Sequence, residues 1–485
     1  MRRLALFSLA ALAGCTVGPD YRPRTTAELG VPDTWSVPAG KIAEDLTRYW
    51  QRFGDPELAR LVEQARVANT DLGQAVGRLR QAREALVQSR SGLLPTVTGS
   101  AGYNRSINLR GGSSNLTLPD GTVTTISRSA GDSFSLGLDA QYQVGLFGEV
   151  RRTVEASRAE QDAARFDYAT VLVSVTSEVA RNYVLARGYQ GEIANARASL
   201  ALQDDNLEIA GYRVQAGLVS SLDVEQARSQ RAQTAATIPQ LEQQYDFAVA
   251  RVAVLTGQAP GALRAELAPV ASIPLGAPRV DAGIPADVLR ARPDVRAAER
   301  SLAAATARIG VAKAQLYPAL AITGNIDTNA TSLGSIGRAI TGGLFAGLTQ
   351  AIFNGGRLRS QVRAEEAATD TALAAYKGTV LTALEDVENA LTAYRAAQER
   401  QQQFGIALAA ATNSAILSRS QYRSGLTDFT TLNQQELSLL SAQNGLTQAR
   451  ADQATALVQL YAALGGGWDA ADLPDGRFVP QTGTR

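Results

Sequence analysis

The chain has 485 residues, enough for two or three ordinary domains, and 45% of them are apolar, which excludes wholesale disorder. A formal net charge of +1 with 19% charged residues leaves no basic footprint for nucleic acid and no strongly acidic partner surface. With no histidine and a single cysteine, Ser-His-Asp and Cys-His catalysis and His/Cys zinc sites are excluded.

In chain order, residues 1–14 read as a signal peptide, with Arg2 and Arg3 ahead of an apolar run from Leu4 to Ala13. Its ending, Leu12-Ala13-Gly14-Cys15, resembles a bacterial lipobox, which implies lipidation of Cys15 and an attachment to lipid. Thr16 rather than Asp after that cysteine implies the outer membrane. No later run of ~18 apolar residues is present, so no transmembrane helix is expected. The segment 15–55 is punctuated by Pro19, Pro23, Pro32 and Pro38 and reads as irregular.

A first repeat spans 56–280. A helix starts at Asp55-Pro56 and runs to about Gly92, with Leu58, Leu61, Val62, Ala65, Leu72, Val76 and Leu79 on one side. A β-hairpin follows over 95–147. Its second strand, Ser133 to Leu146, alternates Phe134, Leu136, Leu138, Ala140, Tyr142, Val144 and Leu146 with polar residues or glycine. Its first strand runs from Pro95 to about Asn104, and a Gly/Ser/Asn/Thr-rich loop from Ser106 to Gly131 joins the two. Helical sequence then runs from Gly148 to Thr256, interrupted at Gly217-Leu218, and a proline-rich connector lies between Pro260 and Pro293.

A second repeat spans 281–468. It has a helix from about Pro285 to Leu316 and a hairpin over 318–353, with Leu320, Ile322, Gly324, Ile326, Leu344, Ala346, Leu348 and Ile352 alternating. A proline-free helical stretch from Gly355 to Leu464 follows. In it Leu373, Tyr376, Val380, Leu384, Val387, Leu391 and Tyr394 recur at the ~3.5-residue spacing of a coiled-coil seam. A helix from about Arg357 to Ser424 predicts a rod of roughly 100 Å, broken at Gly425-Leu426. The tail 469–485, following Trp468, reads as polar and irregular. The two halves superpose at an offset of roughly 206 to 209, pairing Phe147 with Phe353, Glu178 with Glu385, Asn182 with Asn389 and Leu255 with Leu464.

A soluble sandwich would also alternate. Alternating hairpins in a secreted lipoprotein, each flanked by very long helices, favour membrane strands with an apolar outside and a polar inside. Four strands cannot close a barrel, whose smallest membrane form has ~8, and an open edge is forbidden in lipid. Oligomerisation is therefore expected, two copies giving eight strands and three giving twelve.

Five stretches carry a family resemblance: Cys15-Thr16-Val17-Gly18-Pro19-Asp20-Tyr21, Trp50-x-x-Phe53-Gly54-Asp55-Pro56, Ala291-Arg292-Pro293-Asp294-Val295-Arg296-Ala297-Ala298-Glu299, Leu316-Tyr317-Pro318 and Ala463-Leu464-Gly465-Gly466-Gly467-Trp468. Together they resemble the TolC-like outer-membrane efflux proteins, in the lipoprotein branch typified by OprM. The resemblance implies an α+β membrane protein: a homotrimer with a 12-stranded β-barrel, four strands per chain, continued by a long periplasmic α-helical barrel. It also implies a passive exit duct for small molecules, working with a periplasmic adaptor and an inner-membrane RND-type transporter.

Nothing in the residues suggests an enzyme, a cofactor or a metal site. Gly465-Gly466-Gly467 follows a helix and reads as a helix stop rather than a phosphate cradle. Asp204-Asp205 and Glu365-Glu366 read as solvated helix surface. The places of interest are the two interruptions, Gly217-Leu218 and Gly425-Leu426, where the resemblance implies the closed periplasmic tip of the tunnel. By position it puts an acidic link residue at Asp223 and its tyrosine partner at Tyr422. It puts constriction positions at Thr430 and Gln434, where the branch carries leucine and aspartate, leaving Asp428 as the nearest acidic substitute. Two other functions fit the sequence: a type I secretion duct, and a non-conducting coiled-coil lipoprotein that spans the periplasm.

Overall fold

The structure is a computed structural model and describes residues 16–36, 46–107, 109, 113–127, 131–276 and 283–474. The signal peptide, Cys15 and the chain beyond 474 lie outside the described residues. The elements run α1 (Pro56–Ala68), α2 (Thr70–Ser91), β1 (Thr96–Ser106), β2 (Ser113–Thr117), β3 (Val123–Ser127), β4 (Gly131–Val144), α3 (Glu149–Gln215), α4 (Ser221–Leu255) and α5 (Arg264–Leu267). They continue with α6 (Pro285–Ala291), α7 (Pro293–Ala314), β5 (Ala319–Ala330), β6 (Thr341–Thr349), α8 (Arg357–Arg423) and α9 (Phe429–Ala463).

The repeat is legible in the helices. Helices α3 and α8 each have 67 residues, and α4 and α9 each have 35. Their first residues, Glu149 and Arg357, Ser221 and Phe429, stand 208 positions apart (357 minus 149, 429 minus 221). That single offset pairs Leu255 with Ala463, so the Leu255–Leu464 match is displaced by one residue.

Two expected helices are each split. Asn69 ends α1 with ψ 132°, and its Oδ1 accepts the Asp71 and Leu72 amides at 2.8 and 3.1 Å, capping α2. Its Nδ2 donates to the Leu255 carbonyl at 2.9 Å, so the kink is held from outside. In the second repeat Pro293 forces Arg292 out of helical geometry, to ψ 126°, and α6 stops there. The sequence showed that proline but not the consequence of Asn69.

Two compact units divide the chain. The first takes residues 16–22, 82–161 and 301–372 and contains the sheet, ordered β1-β4-β5-β6 and antiparallel throughout. The register sorts the side chains as the alternation predicts. Thr98, Asp139, Asn325 and Gly343 form one cross-strand row, and Val97, Ala140, Gly324 and Leu344 lie in a row on the opposite face. On that apolar face Leu136, Leu138, Ile326, Leu344 and Leu348 are exposed, Leu344 by 83%. Bare leucines across a whole sheet face are costly in water and at rest in hydrocarbon. Strand β4 stops at Val144 rather than Leu146, and the loop expected over 106–131 contains a second hairpin, β2 with β3. Its turn holds Asp120-Gly121, a local hairpin signal inside that Gly/Ser/Asn/Thr-rich stretch.

The same unit fixes the segment after Cys15. Buried Arg152 donates to the Val17 and Gly18 carbonyls at 3.3 Å each and pairs with Asp20 at 2.7 Å and Glu155 at 2.8 Å.

The second unit takes residues 23–81, 162–300 and 373–474 and holds the main core. Tyr49, Trp50, Leu58, Leu61, Tyr183 and Tyr461 are fully buried there. Asp55 serves twice: Oδ1 caps α1 through the Glu57 and Leu58 amides, and Oδ2 accepts the Tyr183 hydroxyl at 2.7 Å. Arg292 bridges Asp294 at 2.7 Å, Asp386 at 2.9 Å and the Ala463 carbonyl at 3.2 Å. Trp468, the last residue of the second repeat, belongs to this core as well. It is buried, donates to the Ala291 carbonyl at 3.2 Å, and stands edge-on to Phe166. The stretches around Arg292 and Trp468 thus form one knot.

Candidate functional site: the two helix–helix turns

Both interruptions are built on one plan. Gly217 takes φ +69° and donates to the Val214 carbonyl, while Leu218 donates back to Arg213, both at 2.9 Å. Gly425 takes φ +72° and donates to Tyr422 at 3.0 Å, and Leu426 donates to Gln421 at 2.8 Å. This paired bonding is the Schellman end of a helix, and it requires a left-handed residue that glycine supplies without strain. The next helix is then capped: Ser220 Oγ accepts the Leu222 amide at 3.2 Å, and Asp428 Oδ1 accepts the Thr431 amide at 2.7 Å. Leu218 and Leu426 point outward, 69% and 79% exposed.

The two turns meet through Arg213. Its Nη1 donates to the Tyr422 carbonyl at 3.0 Å, and its guanidinium lies 4.7 Å from the centre of the Tyr422 ring. Tyr422 is buried against Ala227, Phe429 and Leu432, with Phe429 edge-on at 6.0 Å. Burial pushes its hydroxyl pKa up; Arg213 opposes the shift, and the Asp223 carboxylate adds to it. Among the described residues no hydrogen bond joins Asp223 to Tyr422, and the buried Tyr422 hydroxyl has no hydrogen-bond partner. Asp223 sits half-buried in the first turn of α4, where the helix dipole favours it.

Asp428 is exposed, and its carboxylate is engaged as a cap; the amide and hydroxyl of Thr431 hold its pKa below the usual range. Thr430 and Gln434 are exposed on α9. Cys15 lies outside the described residues.

Sequence reasoning missed a second cluster nearby. Glu436 is buried, with Oε2 accepting Asn206 Nδ2 at 2.7 Å and Oε1 accepting Arg419 Nε at 2.9 Å. One carboxylate thereby joins α3, α8 and α9. The available signal was its place on the stripe of Phe429 and Leu432, where a charge demands a partner from a facing helix.

Residues 61–258 and 284–466 match the family model for outer membrane efflux protein, in two segments that follow the repeat. The chain belongs to that family. Pyoverdine export outer membrane protein OpmQ of Pseudomonas aeruginosa is 33% identical, over 97% of this chain and 98% of its own length. Nodulation protein T of Rhizobium leguminosarum bv. trifolii is 31% identical, over 96% of each. The solved structure of the outer-membrane channel OprN superposes with a TM-score of 0.84 at 34% identity, covering 94% of this chain and all of that one. The efflux protein is accordingly an outer-membrane channel component that extends into the periplasm, and its family is one of transport ducts. The fold class expected from the sequence, four strands per chain with long helices in tandem repeat, is the one observed.

Proposed function

We propose that three copies of this chain close a twelve-stranded barrel, that their helices continue it as a periplasmic tunnel, and that the two turns form its gated inner tip. The carrying observation is the sheet: one face apolar and exposed, with β1 and β6 as open edges. Unpaired backbone cannot remain in lipid, so each β6 must find the β1 of a neighbour. The duct is passive and carries no catalysis. It works with a periplasmic adaptor and an RND-type inner-membrane transporter, and Cys15 carries a lipid that tethers the chain to the outer membrane. Pyoverdine export by a similar protein favours small organic cargo over polypeptide.

In the resting state the Tyr422 hydroxyl, without a hydrogen-bond partner among the described residues, accepts or donates across to a neighbouring coil, and Asp223 supplies the acidic side of that link. The purified protein should run as a heat-modifiable trimer and pass potassium chloride in a planar bilayer; a monomer, or a trimer that never conducts, would overturn the duct. Replacing Asp223 with Ala and Tyr422 with Phe should raise single-channel conductance. Unchanged conductance with the trimer intact would remove these two residues from the gate and leave the duct standing.

A further inference from the structure

One residue breaks the polarity of the sheet. The register places Phe345 in a cross-strand row with Thr323, Gln141 and Thr96, on the face opposite the leucines. That face is otherwise built of hydroxyls, amides, carboxylates, glycines and alanines on the four strands. The ring is 66% exposed. It is also laid flat: a Cβ on Gly347 would come within 2.6 Å of its Cε1, so the ring covers the space that this glycine leaves open. Gly343, two residues back on the same face, carries no side chain of its own, and Asn325 Oδ1 occupies the space beside it.

We propose that Phe345 is a stacking platform for planar organic cations on the water-facing wall, a proposal that rests on the closed-barrel reading above. A ring folded onto glycine turns its face toward the lumen instead of blocking it. An aromatic face attracts cations and stacks on flat π-systems. The charge around it matches: Asp139 lies in the next row, about 12 Å away by strand spacing and rise, and Asp327 one row further. Asp327 accepts Asn325 Nδ2 at 2.6 Å and the Thr341 hydroxyl at 2.7 Å, and neither Asp139 nor Asp327 is ion-paired among the described residues. Three copies place three such platforms at one height of the barrel. The chemistry favours flat organic cations over anions, and such cations pause at Phe345 on the way out.

Ethidium is the probe. Titrated into the full-length protein in detergent and followed by anisotropy, it should bind saturably. Affinity should fall roughly five-fold in Phe345→Ser, hold in Phe345→Trp and fall on raising salt. Equal binding by wild type and Phe345→Ser, or no saturable binding by wild type, would overturn the platform. In bilayers the Phe345→Trp fluorescence, read above the three native tryptophans, should be quenched by acrylamide and not by brominated lipid. Quenching by the lipid would place the ring outside and overturn the proposal. Heat-modifiable mobility and potassium chloride conductance of Phe345→Ser should match wild type, which separates loss of the platform from loss of the duct.

Discussion

Arg292 illustrates what single side chains contribute here. It is buried, with its partners Asp294 and Asp386 on two different helices and the last carbonyl of α9 as a third. Removing it strands two carboxylates and a carbonyl at the meeting point of α7, α8 and α9. Arg292→Ala should cost about 2–3 kcal/mol, below the usual figure for a fully buried pair because Asp386 remains partly solvated. The check is thermal loss of the heat-modifiable form, which should shift downward, with Arg292→Lys recovering only part because lysine cannot span three acceptors in a plane. Arg213 and Glu436 work in the same way nearer the turns. Glu436 satisfies groups from two other helices, Arg213 ties α3 to Tyr422 of α8, and neither carries a sequence motif.

At the scale of elements, the ends of helices decide more than their middles. The long rods follow from residue preference and seam spacing, but their exits depend on Gly217, Gly425, Ser220 and Asp428. Asp428 gives this a pH dependence. Its folded pKa is depressed by bonding to Thr431, so the cap is fully present above the ordinary carboxylate range, about pH 4, and is lost as pH falls through the folded value. Amide hydrogen exchange at Phe429–Thr431, taken relative to the intrinsic rate at each pH, should therefore accelerate on acidification. Asp428→Ala should show that faster exchange already at neutral pH, while Asp428→Asn, itself a good cap, should not. If all three exchange alike at pH 7, the cap does not hold the start of α9.

At the scale of the whole molecule, the two faces of the sheet make opposite demands. Leu138 lies on the apolar face and Gln141, three residues on, on the polar one. Leu138→Lys should cost about 2–4 kcal/mol per site in the bilayer and lower the yield of assembled protein. Gln141→Lys should assemble normally and alter ion selectivity instead. Folding yields measured in lipid vesicles, followed by reversal potentials, separate the two outcomes. Equal yields for both variants would mean that the leucine face does not meet lipid.

The sequence by itself determined the repeat, the rods, the alternating strands and the positions of the turns, because each is a periodic or glycine-marked signal carried by neighbours in the chain. It also located the stretches that identify the family. Tertiary structure alone decided that Asn69 splits a helix, since that break is fixed by the Leu255 carbonyl far along the chain. It decided likewise that Trp468 belongs to the core, that Arg213 joins the turns, and that Phe345 shares its row with Thr323, Gln141 and Thr96. Those facts depend on which groups meet across long separations and on strand register, and neither is written in local order.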